Sequence, residues 1–264
     1  MEVIAYLASA FIGISLGLIG GGGSILTVPV LVYLFGIAPL LATSYSLFIV
    51  GSTSLIGAVN NYREGQVNLK AALFFGAASI VTVFATRKLI IPAIPEKLFT
   101  IAGHTITSAL ATMVFFGVLM LTASISMIRS KHDDAQEQEC KDCIKFFKLL
   151  GYGIAIGLVT GLLGAGGGFL LIPALVLLLK LPMKKAVGTS LLIIALNSLI
   201  GFAGDLGHFQ IHWKFLLSVS AIAITGLLAG NLISKRIPGS GLKKAFGWFV
   251  LFMGIYIILK EFLK

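Results

Sequence analysis

Charge is what this chain has least of. Only 11% of its 264 residues are charged, whereas a soluble globular domain carries about 25%. No charged side chain occurs between Val3 and Tyr62, and further uncharged stretches cover 71–86, 98–128, 149–179, 186–204, 215–234 and 245–259. A membrane-spanning helix needs about 20 consecutive apolar residues, so these stretches exclude a soluble protein and predict an all-α polytopic membrane protein. The N-terminus, MEVIAYLASAFIG, lacks the basic region and small-residue cleavage site of a signal peptide. It reads as a first membrane helix retained in the mature protein.

Cysteine is nearly absent too. Cys140 and Cys143 stand in ECKDC within the charged segment RSKHDDAQEQECKDCIKFFK, with His132 nearby. Two thiolates do not complete a tetrahedral zinc site, so neither a metal nor a cofactor is expected. There is no HExxH, no close pair of intramembrane aspartates and no Cys–His pair within an apolar stretch, so the chain does not read as an enzyme. The net charge of +10 reports orientation and contact with anionic lipid in a membrane protein. Nucleic acid is not an expected partner.

Glycine, by contrast, is abundant and oddly placed. Residues 17–34 read GLIGGGGSILTVPVLVYL, and 161–178 read GLLGAGGGFLLIPALVLL. A shift of 144 residues superimposes 17–70 on 161–214 with 20 identities in 54 positions, among them Gly20/Gly164, Gly22/Gly166, Gly23/Gly167, Pro29/Pro173, Gln66/Gln210 and Lys70/Lys214. Chance likeness between apolar stretches enriches Leu and Ile rather than glycine, proline and glutamine in register. The chain is therefore read as a duplication: a first transmembrane repeat over 1–128, a charged linker over 129–148 and a second repeat over 149–264.

Each half offers five apolar segments, about 3–19, 25–37, 42–61, 69–87 and 98–128, then 149–163, 169–180, 186–204, 214–234 and 242–260, giving about 8–10 transmembrane segments in all. The segments flanking each glycine run are short. They read either as two tilted crossings or as a re-entrant hairpin with its bend inside the membrane. In both cases fourteen of the twenty basic residues, including Arg63, Lys70 and Lys184, fall on one side. The positive-inside rule makes that side cytoplasmic, with both termini outside. An odd number of crossings per half makes the repeats inverted, an architecture used by secondary transporters.

Two roles fit a glycine run deep in a membrane. One is close helix packing. The other is an unwound bend facing a cavity, followed by a helix start whose unpaired N–H groups and dipole favour an anion. No GK[ST] follows either run, which excludes a Walker phosphate loop. The second role makes Gly20, Gly21, Gly22, Gly23, Ser24, Gly164, Gly166, Gly167 and Gly168 candidate anion-binding residues. The following ATSYS and AVGTS motifs add Thr43, Ser44, Ser46, Thr189 and Ser190, as anion donors or ordinary N-caps. Asn197, a further candidate anion-binding residue, and its counterpart Thr53 lie two turns deeper, where polar side chains usually face the bundle interior and interhelical hydrogen bonding is the alternative. Glu64, His104, Asp205 and His208 fall near predicted membrane boundaries. The expectation is thus an interior without fixed Lys or Arg, and transport by facilitated movement or exchange without an indispensable carboxylate.

The doubled motif GGGGSILTVP and GAGGGFLLIP, with the following AVGTSL, resembles the sulfite exporter family of the TauE/SafE type over nearly the whole chain. The resemblance implies a bacterial or archaeal multi-pass carrier in the inner membrane for small sulfur-containing anions such as sulfite, sulfoacetate or other organosulfonates. The residues themselves reach only a small anion, and an anion channel of the same fold or a carrier of another small anion stays open. The expected partners are that anion and membrane lipid, with a homodimer as the assembly allowed for. Two departures from the family pattern stand out: LATSY replaces the AVGTS form in the first half, and segment 98–128, which contains His104, is long enough to be broken or followed by an interfacial stretch.

Overall fold

The computed structural model describes residues 2–93, 97–101, 104–129, 143–164, 166–208, 210–234, 237 and 239–262. Ten α-helices account for most of these. In the first half they are α1 (Glu2–Ile19), α2 (Gly22–Tyr33), α3 (Pro39–Arg63), α4 (Leu69–Ala85) and α5 (Ser108–Arg129). The second half carries α6 (Cys143–Leu163), α7 (Gly168–Leu178), α8 (Met183–Asp205), α9 (Trp213–Ser234) and α10 (Gly239–Phe262). Local chemistry sets several ends. Pro39 occupies the first turn of α3, where its missing N–H costs nothing. The Asn68 side chain caps α4 by accepting from the Ala71 N–H, the role for which Asn is favoured.

Among the described residues, four stretches are long and apolar enough to cross a membrane: Pro39–Arg63, Leu69–Ala93, Met183–Asp205 and Trp213–Ser234. Large apolar side chains such as Leu7, Leu73, Val81, Leu232 and Phe252 are exposed on the outside of the bundle. In water they would form the broad apolar surface that soluble monomers avoid; against lipid tails they need no cover.

The two halves interlock. α1 lies along α9, and α6 lies along α4; α3 crosses α8, and α5 crosses α10. Exchanging the halves turns each of these pairs into another member of the set. The α1–α9 crossing is built from two GxxxG stripes, Gly13/Gly17 and Gly226/Gly230. A Cβ on any of the four would strike the opposing helix backbone, so glycine lets the two axes approach as they do in membrane helix pairs. At the equivalent crossing Gly153, Gly157 and Gly161 of α6 lie against Phe75, Ala78, Ser79, Thr82 and Thr86.

The fifth segment is broken, one of the forms its length allows. Instead of one apolar run over 98–128, the chain leaves α4 through a π turn (Thr86–Ile90) and a 3-10 turn (Ile91–Ala93). It then forms an antiparallel hairpin of β1 (Lys97–Ile101) and β2 (His104–Thr107) before α5. Pro92 lacks the N–H that would prolong the helix, and the β-branched Thr100, Ile101, Thr105, Ile106 and Thr107 favour strand. α6 begins at Cys143, within the charged segment 129–148. Cys140 and His132 lie outside the described residues.

Candidate functional site

The two glycine runs meet. α1 ends at Ile19, the chain turns at Gly20 with φ +77°, and α2 sets off from Gly22. In the second half Gly164, Gly166 and Gly167 all take positive φ before α7 begins at Gly168. At these angles a Cβ is disfavoured. Gly21 and Gly168 touch: a Cβ on Gly168 would lie 2.5 Å from Gly21 Cα. The start of α7 and the residue preceding α2 are therefore packed backbone against backbone. Gly23 is packed into α1 against Ile12 and Leu16.

The hydroxyl groups divide. Ser24 Oγ donates to Gly21 O at 2.7 Å, and Ser190 Oγ donates to Val187 O at 2.9 Å. Thr189 Oγ1 accepts from the Asn68 N–H at 2.9 Å, tying α8 to the first half. Since α3 starts at Pro39, Thr43, Ser44 and Ser46 lie beyond its first turn and do not cap it. Ser46, Ser54, Thr160 and Ser198 are buried with no protein partner for their oxygens, while Ser44 lies against the Asp205 carboxylate. Two of these reach a glycine bend: a Cβ on Gly166 would sit 2.9 Å from Ser198 Oγ, and one on Gly167 would strike Thr160 Oγ1. Asn197 Nδ2 donates to Ser79 Oγ at 2.7 Å, an interhelical bond. Thr53 instead donates to Ile49 O within its own helix.

The interior does contain a fixed cation, contrary to the reading of the sequence. Arg87 is 0% exposed, and its Nη1 donates to Asp205 Oδ2 at 3.0 Å and to Thr43 Oγ1 at 3.1 Å. Its Nε and Nη2 have no protein acceptor, and Nη2 packs against Gly164 of the second bend. Asp205, expected at a boundary, is 1% exposed at the end of α8, beside Ser44. Arg87 is carried inward because the α4 backbone continues helically through the π turn. Among the described residues these two are the only buried charged side chains.

At the opposite end lies a cleft of about 200 Å³ lined by Asn61, Glu64, Gln66, Lys184, Val187, Asn231 and Ser234. It borders the first bend, since Val187 is what a Cβ on Gly20 would meet. The sequence reading passed over these amides because each lies near the end of an apolar segment. Glu64 and His208 stay exposed, and the His104 side chain lies outside the described residues. The described residues contain no cluster of metal-binding side chains.

Residues 5–257 match the family model described as Sulfite exporter TauE/SafE. The chain belongs to that family. It is 27% identical to a protein of Xylella fastidiosa (strain Temecula1) named "Probable membrane transporter protein", over 98% of this chain and 95% of the relative. A Bacillus subtilis relative, "Probable membrane transporter protein YdhB", is 28% identical over 92% and 94% of the two chains. One from Methanocaldococcus jannaschii, "Probable membrane transporter protein MJ0441", is 33% identical over 43% and 46%. No solved structure matches the chain. The TauE/SafE protein is thus a multi-pass membrane transporter and not an enzyme.

Proposed function

We propose that this TauE/SafE member is a secondary transporter exporting small sulfur-containing anions, of the sulfite, sulfoacetate and organosulfonate class, across the inner membrane by alternating access. The observation that carries the reading is the meeting of two glycine bends at Gly21 and Gly168, one from each half, among buried hydroxyls without protein partners. The first N–H groups of α2 and α7, which lack intrahelical acceptors, together with helix dipoles and hydroxyl donors, favour an anion at this junction. The buried guanidinium already has a carboxylate partner, so the site's pull on an anion stays moderate and release stays fast.

The halves act as inverted repeats. The exchange-symmetric packing of α1 on α9 and α6 on α4 supports that arrangement. The basic loops carrying Arg63, Lys70, Lys184 and Lys185 face the cytoplasm together with the linker, and the termini face outward. Sulfur oxyanions rest on the family; the junction itself selects for size and negative charge.

Counterflow tests this reading. Purified protein in vesicles loaded with unlabelled sulfite should accumulate labelled sulfite transiently, with saturation, and sulfoacetate should compete. Flux that rises linearly with concentration and shows no counterflow would instead describe a channel.

A further inference from the structure

The shift of 144 residues relates more than the glycine runs. It carries Asn61 onto Asp205, Asn231 onto Arg87 and Val187 onto Thr43. Three residues lining the open cleft therefore occupy the same places in one half-to-half arrangement as the three residues of the buried ion-pair cluster occupy in the other. The glycine neighbours agree: Gly20 abuts Val187, and its counterpart Gly164 abuts Thr43 and Arg87. Equivalent places thus look different. One is a polar cleft leading to a glycine bend, and the other is filled by a guanidinium and a carboxylate 3.0 Å apart.

We propose that the Asn61–Asn231 cleft is the open mouth of the anion path, where a small oxyanion first meets amide and Lys184 donors, and that Arg87–Asp205 is the same mouth shut at the other end. This rests on the transporter reading above. The chemistry of the two pairs suits the two states. Two amides tolerate water at little cost, so a mouth lined by them stands open. An ion pair in a dry interior is held tightly by Coulomb attraction, yet in water that attraction falls to about 1 kcal/mol. Hydration of the two separated ions then offsets the loss, which makes closure and opening of similar free energy. Aromatic rings reinforce the shut end: Phe48, Phe202 and Trp213 pack mutually with centroids 5.1–6.1 Å apart. Their counterparts at the open end are Leu192, Ala58 and Leu69.

Thiol accessibility tests the assignment without any substrate. In a Cys140→Ser/Cys143→Ser background, Thr43→Cys and Val187→Cys report on the shut and open mouths through alkylation by a water-soluble maleimide. With Arg87 and Asp205 intact, the Val187→Cys protein should react at least tenfold faster than the Thr43→Cys protein; equal rates overturn the proposal. Adding Arg87→Gln and Asp205→Asn together should speed alkylation of the Thr43→Cys protein at least tenfold and should not speed that of the Val187→Cys protein. A Thr43→Cys rate that does not rise overturns the role of the pair. The first comparison needs no change to the pair, so it decides even if the double variant fails to fold. Failure of wild-type protein to exchange sulfite would refute the substrate reading and leave the two mouths standing.

Discussion

Removing one member of the Arg87–Asp205 pair should harm the protein more than removing both. Asp205→Asn leaves a guanidinium buried at 0% exposure without its counter-charge. At 3.0 Å and an effective dielectric constant of about 20, the lost attraction is on the order of 5 kcal/mol. One-sided breakage of buried pairs costs about 3–5 kcal/mol in practice. At roughly 2–4 °C per kcal/mol for a chain of this size, the midpoint of thermal unfolding in detergent should fall by about 10 °C. Arg87→Gln strands the carboxylate instead and should cost a similar amount. The double variant, with two neutral amides side by side, should recover at least half of either loss, because no uncompensated charge remains. The cycle is read from three midpoints against wild type. If the two single losses simply add in the double variant, the pair is not coupled and the reasoning fails.

Other expectations follow from packing. Gly226→Leu drives a side chain into the Ala10 carbonyl and should destabilise by at least the 1–3 kcal/mol typical of overpacking. Gly151→Ala, inside α6 with open space where its methyl would go, should instead stabilise by about 0.4–1 kcal/mol; both are read from thermal midpoints. Gly168→Ala places a methyl 2.5 Å from Gly21 Cα and should reduce sulfite counterflow at least tenfold. Asn197→Ala removes the hydrogen bond to Ser79 and should cost about 0.6 kcal/mol, the usual value for such bonds between membrane helices.

Much of the helical layout was legible because the duplication repeats it. α3 and α8 begin at Pro39 and Met183, and α4 and α9 begin at Leu69 and Trp213, each pair in register with the 144-residue shift. The register fails at the fifth helix, where the first half carries the additional turns and hairpin over 86–107; no periodic signal announces an insertion of mixed structure. The ends of α1 and α6 at the glycine runs were legible too, since each run interrupts an apolar stretch at the same place in its half. The ion pair was not. Hydropathy treats a charge at the end of an apolar run as a boundary marker, and nothing local links Arg87 to a carboxylate 118 residues away. The signal lay in the repeat itself, which places a polar residue, Asn61 or Asp205, at the same turn of α3 and α8, and another, Arg87 or Asn231, at the same turn of α4's continuation and of α9.

The clasp between the halves bears on how the protein is made. The glycine stripe of α1 finds its groove on α9, which leaves the ribosome some two hundred residues later. A nascent chain that has inserted only its first half therefore holds α1 beside lipid or a chaperone, its close-packing face unmatched. α4 waits likewise until α6 arrives. Biogenesis is consequently a late, single act of mutual insertion, and two separately expressed halves should find each other in the membrane while either one alone is cleared.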